Sequence, residues 1–183
     1  MDASRVTLPR RASGFTLIEL VVGMIVLGIA LVMLTSMLFP QADRAAETLH
    51  RVRSAELAHS LLNEIWGKRY DQNSNPNGGV PACGAAARPD LGLPAGQPCT
   101  DQASFGAGGL DRNAYRDVDD YHGLTQASKM LNSDRTYAQE YINYQLSVSV
   151  TYPGSDKNSK LVAINVTTPS GEVITYHGLR SNY

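Results

Sequence analysis

The 183-residue chain has few of the features that mark zinc modules, nucleic-acid-binding proteins or large enzymes. It contains only two cysteines, and no second Cys or His pair lies near them, which argues against a zinc site. The formal net charge is −1, so the overall charge does not favour a nucleic-acid partner. The length suits one domain with an appendage and leaves little room for a large multidomain catalyst.

Catalytic motifs are also missing. The sequence has no H-E-x-x-H pair and no G-x-S-x-G nucleophile elbow. Gly106, Gly108 and Gly109 neither follow a predicted strand nor open a helix, so no phosphate-binding loop is predicted. His50 and His59 lie on a predicted helix and are interpreted as surface residues. A triad of distant residues is defined by geometry and stays open, but the prediction is that the protein is not an enzyme.

Charged residues are nearly absent from one long segment near the start of the chain. Residues 15–39 carry a single formal charge, that of Glu19. A helix of this length spans roughly 37 Å, enough to cross a hydrocarbon core of about 30 Å. A secretory signal has a shorter apolar region followed by a small-residue cleavage site, and no A-x-A pattern follows this one. We therefore predict a membrane helix that is retained.

The charges around this segment predict its orientation. Arg5, Arg10 and Arg11 precede it, which by the positive-inside tendency holds the N-terminus in the cytoplasm. Residues 40–183 are then exported. Glu19 needs a separate explanation, because an acidic residue at the centre of a membrane helix costs about 3 kcal/mol and usually marks function. The alternative is that Glu19 lies one turn from the interface and reaches water there.

Residues 10–20, RRASGFTLIEL, resemble the class III signal of type IV prepilins and related pseudopilins. The stretch combines a basic leader, a Gly-Phe junction, a glutamate five positions after the glycine and a long apolar helix. The resemblance implies that a prepilin peptidase cuts after Gly14 and that the new N-terminal residue, Phe15, is N-methylated. It also implies that Glu19 meets the Phe15 amine of a neighbouring subunit and sets the axial register of the filament. Burial strengthens such an attraction.

A second helical pattern follows the apolar segment. Pro40 lacks an amide donor, so a bend or an interruption is expected where the chain leaves the membrane. An amphipathic helix is predicted over residues 40–67, with Gly67 as its stop. Its apolar stripe is interpreted as core against a sheet rather than as a binding surface. The stripe consists of Leu49, Val52, Ala55, Ala58, Leu61, Leu62, Ile65 and Trp66.

Residues 68–139 are predicted as a Pro/Gly-rich loop region. Five prolines and eight glycines fall within residues 71–113, which excludes a long helix or a central strand. A long loop in a compact domain needs a tether or a function. An exported domain favours a disulfide between Cys83 and Cys99. Closing a loop of this size contributes on the order of 3 kcal/mol.

An acidic segment, DVDDYHG, occupies residues 117–123 of this region. The carboxylates of Asp117, Asp119 and Asp120 on a Gly-containing loop can supply the oxygen ligands that calcium prefers. The alternative is a solvated turn in which the aspartates accept backbone hydrogen bonds. The spacing does not match the EF-hand pattern. Apart from this calcium ion, no cofactor is predicted.

The last part of the chain, residues 140–183, predicts an antiparallel sheet. Apolar residues alternate with polar ones over residues 146–152 and 162–166, and residues 173–177 give a third strand. The links between them carry turn residues suited to hairpins. One helix across a meander buries both apolar faces, so the predicted fold class is α+β. This is the pilin architecture, a long N-terminal helix with a transmembrane first half, packed on a C-terminal antiparallel sheet.

Blocks further along the chain resemble the D-type minor pilins of the mannose-sensitive haemagglutinin (MSHA) pilus. The resemblance implies a low-abundance subunit that helps to initiate or cap a bacterial surface filament used for attachment. Its partners would be other pilins, the prepilin peptidase and the inner-membrane assembly machinery. The protein would be a single-pass inner-membrane protein before it joins the pilus. The blocks are residues 40–42, 53–58, 62–65, 68–71 and 117–123.

Two other functions are left open. A minor pseudopilin of a type II secretion system shares the signal and the helix but forms a short periplasmic piston. A membrane-anchored periplasmic binding protein or enzyme would instead use the loop and the acidic segment. Loss of an activity on mutation of Asp119 or His122 would favour that third class.

Overall fold

The computed structural model describes residues 14–75 and 80–182, with the backbone alone for residues 38–43. The three arginines that predict the membrane orientation lie outside the described residues. The chain divides into two units, Met1–Ala46 and Glu47–Tyr183. The helices and strands are α1 (Leu17–Trp66), the short α2 (Tyr137–Glu140), β1 (Gln145–Thr151), β2 (Ser159–Thr167) and β3 (Val173–Ser181).

The first unit carries the apolar part of α1. The segment Leu17–Met37 has 21 residues and is long and apolar enough to cross a membrane. All of its side chains are exposed. The core helix of a soluble protein buries its apolar side chains, so this exposure fits a membrane anchor instead. The helix runs through Pro40, so the alternative of an interruption there is wrong, and a bend stays a prediction.

The second unit contains the three-stranded sheet. The strands pair antiparallel in the order β1-β2-β3, which is the predicted meander. In the register of the sheet, Val148 lies opposite Ile164, and Ile164 lies opposite Tyr176. Both β2 and β3 are longer than their apolar patterns predicted. Because alternate side chains point to opposite faces, the apolar residues of β1 and β2 share one face.

That face packs against the second half of α1 and forms the core of the second unit. The contributing helix residues recur at three- and four-residue spacing, so they lie on one side of the helix. Full burial of an aliphatic side chain stabilises a fold by about 1.5–3 kcal/mol. The α+β prediction is therefore confirmed. The buried residues of the helix and the two strands are Leu57, Ala58, Leu61, Ile65, Leu146, Val148, Val150, Val162, Ile164 and Val166.

The predicted apolar stripe is wrong at its first two positions. Leu49 and Val52 are 64 % and 61 % exposed, whereas Leu57, which the stripe omitted, is buried. The buried face begins at Ser54, whose hydroxyl oxygen lies 3.1 Å from the Tyr176 hydroxyl oxygen. Spacing along a helix identifies its apolar positions but does not tell how far the opposing sheet extends. The residues before Ser54 therefore keep their apolar side chains in solvent.

Trp66 lies at the end of α1, directly before the predicted stop at Gly67. Its ring packs on β3 at Gly178, where an added Cβ would lie 2.7 Å from Trp66 Cζ2 and 3.1 Å from Leu62 Cδ2. The predicted packing of Trp66 against the sheet is confirmed, although 37 % of the residue remains exposed. The glycine is required because any side chain at this position would collide with the indole.

Candidate functional site

The Gly-Phe junction lies in exposed, non-helical chain. Helix α1 begins at Leu17, so Gly14 and Phe15 precede its first turn. A Cβ placed on Gly14 would meet no atom within 4 Å, and Phe15 is 86 % exposed. A peptidase must bind the peptide it cuts in an accessible conformation, and this junction offers one.

Thr16 directly precedes α1, and Glu19 lies in its first turn. The amide of Glu19 donates to Thr16 Oγ1 at 3.4 Å, and the amide of Leu20 donates to the Thr16 carbonyl at 3.2 Å. A threonine followed three residues later by a glutamate is the capping-box pattern, which the sequence analysis did not use. Glu19 is also the acidic residue of the first turn, where the helix dipole favours a carboxylate. A carboxylate in this first turn therefore favours the start of the helix.

The Glu19 carboxylate itself is exposed to the surroundings. Within the part of the chain that the structure describes, no ion pair involves this residue. A partner for its charge must therefore come from the membrane interface, from the chain's own N-terminus or from another molecule. Pairing with a neighbouring subunit's amine stays a prediction.

In the second unit, Cys83 and Cys99 form the predicted disulfide, with their Cα atoms 4.9 Å apart. Both residues are buried. A ligand atom of Asp71 lies within 4.8 Å of both sulfurs, but sulfurs bonded to each other are not thiolate ligands. The Asn182 side chain donates to the Cys83 carbonyl at 2.9 Å and ties the end of the chain to this loop.

The acidic segment forms a turn in which aspartates accept backbone hydrogen bonds, as the alternative to a calcium site predicted. The turn is buried rather than solvated, since Asp117, Asp119 and Asp120 are only 3–6 % exposed. Asp117 Oδ1 accepts from the amides of Asp119 and Asp120 at 3.0 and 3.3 Å. Asp120 Oδ2 accepts from the amides of Arg116 and Asp117 at 2.7 and 3.4 Å. These bonds hold the 3-10 helix Asp119–Tyr121 in place. Backbone donors thus occupy part of the oxygen set that an ion would need.

Calcium binding stays a prediction for these residues. Among the described residues, the carboxylates of Asp117, Asp119 and Asp120 do not all reach within 4.8 Å of one another. The structure therefore does not gather the three acids around one point. His122 is also turned to another partner, since its Nδ1 lies 3.0 Å from the Val150 amide nitrogen.

Asp119 instead faces a lysine that the sequence analysis overlooked. Lys160 lies on β2 and is fully buried, and Asp119 is 4 % exposed. Lys160 Nζ lies 2.6 Å from Asp119 Oδ1 and donates to Asp71 Oδ2 at 3.0 Å. It also donates to the Tyr70 carbonyl at 2.8 Å. We call Asp71, Asp119 and Lys160 the Lys160 triad.

Aromatic rings enclose the Lys160 triad. The Nζ atom lies 4.2 Å from the ring centre of Tyr70, 5.1 Å from that of Phe105 and 5.6 Å from that of Tyr152. The Tyr152 hydroxyl donates to the Thr100 carbonyl at 2.8 Å, which fixes its ring. The negative faces of such rings attract the ammonium group. The rings therefore surround the buried ammonium group on several sides.

Two carboxylates share one cation in this site, and their environments differ. Burial raises the pKa of Asp119 to about 7, although Lys160 opposes the shift. Burial also acts against ionisation of Asp71, but the amide of Asn73, Lys160 and the amide of Thr100 outweigh it and lower its pKa. Asp71 is therefore the carboxylate that stays ionised, and Asp119 is the one whose charge is poorly compensated.

A second buried network joins α1 to the loop region. Arg112 Nη2 donates to Glu64 Oε2 at 2.7 Å, and the Tyr121 hydroxyl donates to Glu64 Oε1 at 2.6 Å. The guanidinium carbon lies over the rings of both Tyr115 and Tyr121, 4.8 and 4.9 Å from their centres. Burial disfavours this cation, but the hydrogen bonds to Glu64, Tyr137 and Tyr121 together outweigh burial and raise the pKa of Arg112. The network holds the acidic segment against the helix.

Comparison with known proteins is informative for the N-terminus. Residues 9–35 match the family model of the prokaryotic N-terminal methylation motif. The motif supports a type IV pilin-like or pseudopilin protein, and it implies processing by prepilin peptidase and assembly with other pilins. No curated protein and no solved structure matches the chain.

The methylation motif and the fold agree with each other. A long apolar helix followed by a three-stranded antiparallel sheet is a pilin-like architecture. The apolar helix near the N-terminus fits the membrane anchor of such a protein. Together they suggest a structural subunit rather than an enzyme. The motif includes Gly14, Phe15 and Glu19, whereas the Lys160 triad lies outside it.

Proposed function

We propose that the chain is a minor pilin, a low-abundance structural subunit of an MSHA-like type IV pilus that acts in pilus assembly or initiation and in surface attachment. One observation carries the proposal. A 21-residue apolar helix with every side chain exposed directly follows an exposed junction inside a prepilin methylation motif. Such a helix needs lipid around it first and other apolar helices afterwards.

The proposed sequence of events begins in the inner membrane. The N-terminus lies in the cytoplasm and the second unit lies in the periplasm, an orientation supported by the basic residues before the helix. Prepilin peptidase cuts after Gly14, and the new amine on Phe15 is N-methylated. The assembly machinery then moves the helix out of the bilayer and into the filament, which carries the protein to the cell surface.

Glu19 gives the proposed filament its register. A carboxylate in an apolar filament core is costly unless a cation meets it. The methylated amine of a neighbouring subunit is such a cation. The exposed carboxylate of Glu19, without an ion pair among the described residues, supports this assignment. The capping-box pattern that Thr16 and Glu19 complete offers a competing reason for a glutamate here, so a test must separate the two.

Glu19→Gln separates them, because glutamine fits the capping-box pattern as well as glutamate does but carries no charge. We expect Glu19→Gln and Glu19→Val to insert into the membrane as the unchanged protein does. We expect the amount of each variant in sheared filaments to be at least tenfold lower than that of the unchanged protein. The measurement is immunoblotting of membrane and filament fractions from the host. Glu47→Gln, an exposed glutamate of the same helix, is the matched control and should leave incorporation unchanged.

Normal incorporation of Glu19→Gln together with loss of Glu19→Val would assign Glu19 to capping alone. The N-terminal sequence and mass of the filament protein test the wider proposal, which requires a start at methylated Phe15. Material that begins at Met1 and never enters filaments would contradict it.

The second candidate function is a minor pseudopilin of a type II secretion system. The methylation motif supports it equally, because pseudopilins carry the same signal. Deletion of the gene would then abolish secretion of folded exoproteins and leave surface filaments intact. The minor-pilin proposal expects deletion to reduce surface filaments and to leave secretion of exoproteins intact.

A further inference from the structure

The Lys160 triad holds an amine, which can act as a nucleophile, against a carboxyl group. Unlike an ordinary salt bridge, this contact lacks hydrogen-bond geometry. Hydrogen bonds to Asp71 Oδ2 and the Tyr70 carbonyl orient Lys160 Nζ. Its third contact is with Asp119 Oδ1 at 2.6 Å. This contact does not have hydrogen-bond angles, and neither oxygen of Asp119 has a hydrogen-bond partner among the described residues.

We propose that Lys160 and Asp119 condense into an intramolecular amide bond between Nζ and Cγ, with Asp71 as the group that relays protons. The site holds the three groups that such a reaction needs, an amine, a carboxyl and a second carboxylate beside the amine. All three side chains are buried. The structure shows the reactants in place before condensation.

The reaction balances without another reactant. The ammonium of Lys160 first gives a proton to the Asp119 carboxylate, which leaves a neutral amine beside a carboxylic acid. The Nζ lone pair attacks Cγ and forms the carbon–nitrogen bond. Asp71 takes a proton from the attacking nitrogen and gives it to the hydroxyl on Cγ. The carbon–oxygen bond breaks, water leaves, and the amide keeps one N–H.

The choice of Asp119 over Asp71 as the electrophile follows from their hydrogen bonds. Asp71 accepts from the Asn73 amide, the Thr100 amide and the Thr100 hydroxyl at 2.9–3.0 Å in addition to Lys160. These donors keep it ionised, and an ionised carboxylate resists attack. Asp119 is also buried, but neither of its oxygens accepts a hydrogen bond, so nothing of this kind stabilises its charged form.

The surroundings favour condensation. Fixing two groups in contact gives effective concentrations of roughly 10⁵ M or more in well-oriented reactions. The rings of Tyr70, Phe105 and Tyr152 surround the amine with apolar surface. Condensation also removes two charges from a site where their desolvation is costly. The product would join β2 to the 3-10 helix Asp119–Tyr121 by a covalent bond.

Peptide mapping of the full-length protein purified from host membranes tests the proposal. After reduction and alkylation, trypsin should cut after Arg116, Lys129, Lys157 and Arg180 but not after Lys160. The expected product is one branched peptide in which residues 117–129 are joined to residues 158–180. Its mass is that of the two segments less one water. Fragmentation should place the link at Asp119.

Variants of Asp119 and Asp71 test the role of each carboxyl group in the reaction. Asp119→Ala should give only the unlinked peptides. Asp119→Asn should give the same branched peptide, because ammonia then leaves in place of water. Asp71→Asn should lower the linked fraction at least tenfold, while formation of the Cys83–Cys99 disulfide shows that the domain has folded.

Three results would overturn the proposal. Complete cleavage after Lys160 in the unchanged protein, with no branched peptide, would show that the triad is only a buried ion network. A link to Asp117, Asp120 or Asp71 would refute the assignment to Asp119. Full linkage in Asp71→Asn would show that Asp71 does not relay protons in the reaction.

Discussion

The two halves of α1 are one helix with opposite relations to their surroundings. Along Leu17–Met37 every apolar side chain is exposed, whereas Leu57, Leu61 and Ile65 in the second half are 0–1 % exposed. The first segment gains nothing from burial within its own described chain, so that free energy must come from what surrounds the chain, as lipid does for a membrane anchor. The second half is stabilised by its own sheet. The same residue types therefore have different functions according to what covers them.

A matched pair of leucines should show this difference most strongly. Leu61→Ala removes a fully buried side chain and is expected to lower the free energy of unfolding of the second unit by about 2–5 kcal/mol. Leu31→Ala changes an exposed residue of the first unit and should leave that value unchanged. Denaturant unfolding of the full-length protein in detergent, followed by the fluorescence of the single Trp66, measures both. Equal losses from the two variants would contradict the comparison.

The disulfide should give the next largest effect, and again only in the second unit. Replacing Cys83 and Cys99 by serine removes a tether across 16 residues and is expected to cost about 3 kcal/mol of unfolding free energy. Membrane extraction of the variant should stay unchanged, because the helix Leu17–Met37 contains neither residue. If stability were unaffected, the loop would be held by its hydrogen bonds alone, including those of Asp71 and Asn182.

A matched pair of glycines sharpens the comparison further. Gly178→Ala puts a methyl group where the Trp66 ring lies and should lower the unfolding free energy by about 1–3 kcal/mol. It should also shift the Trp66 emission to longer wavelength as the ring moves into solvent. At Gly28 nothing lies within 4 Å of an added Cβ, so Gly28→Ala should change neither value. An unshifted emission in Gly178→Ala would mean that the sheet yields instead of the indole.

Some of this structure could be predicted because the signals are local. Alternation along β1 and β2 specifies one buried face, and a chain with two cysteines offers only one intramolecular pair. The Thr16–Glu19 capping pattern was equally readable but was not used. The Lys160 triad could not be predicted in full. The alternation of β2 places Lys160 on the buried face beside Val162, but nothing local names Asp71 as its partner 89 positions away.

The smallest expected effect concerns metal ions and compares the acids of the two regions. Glu19 needs a cation from outside its described chain, whereas Asp119 already has Lys160 at 2.6 Å. If the turn keeps this conformation, calcium above the roughly 10⁻⁴–10⁻³ M range of extracellular calcium modules should leave the unfolding midpoint unchanged relative to EDTA. Bound calcium at a hundred times its Kd would instead add about 2.7 kcal/mol. A calcium-dependent rise in the unfolding midpoint that Asp117→Asn abolishes would support the predicted ion site. It would mean that the turn rearranges to gather its carboxylates.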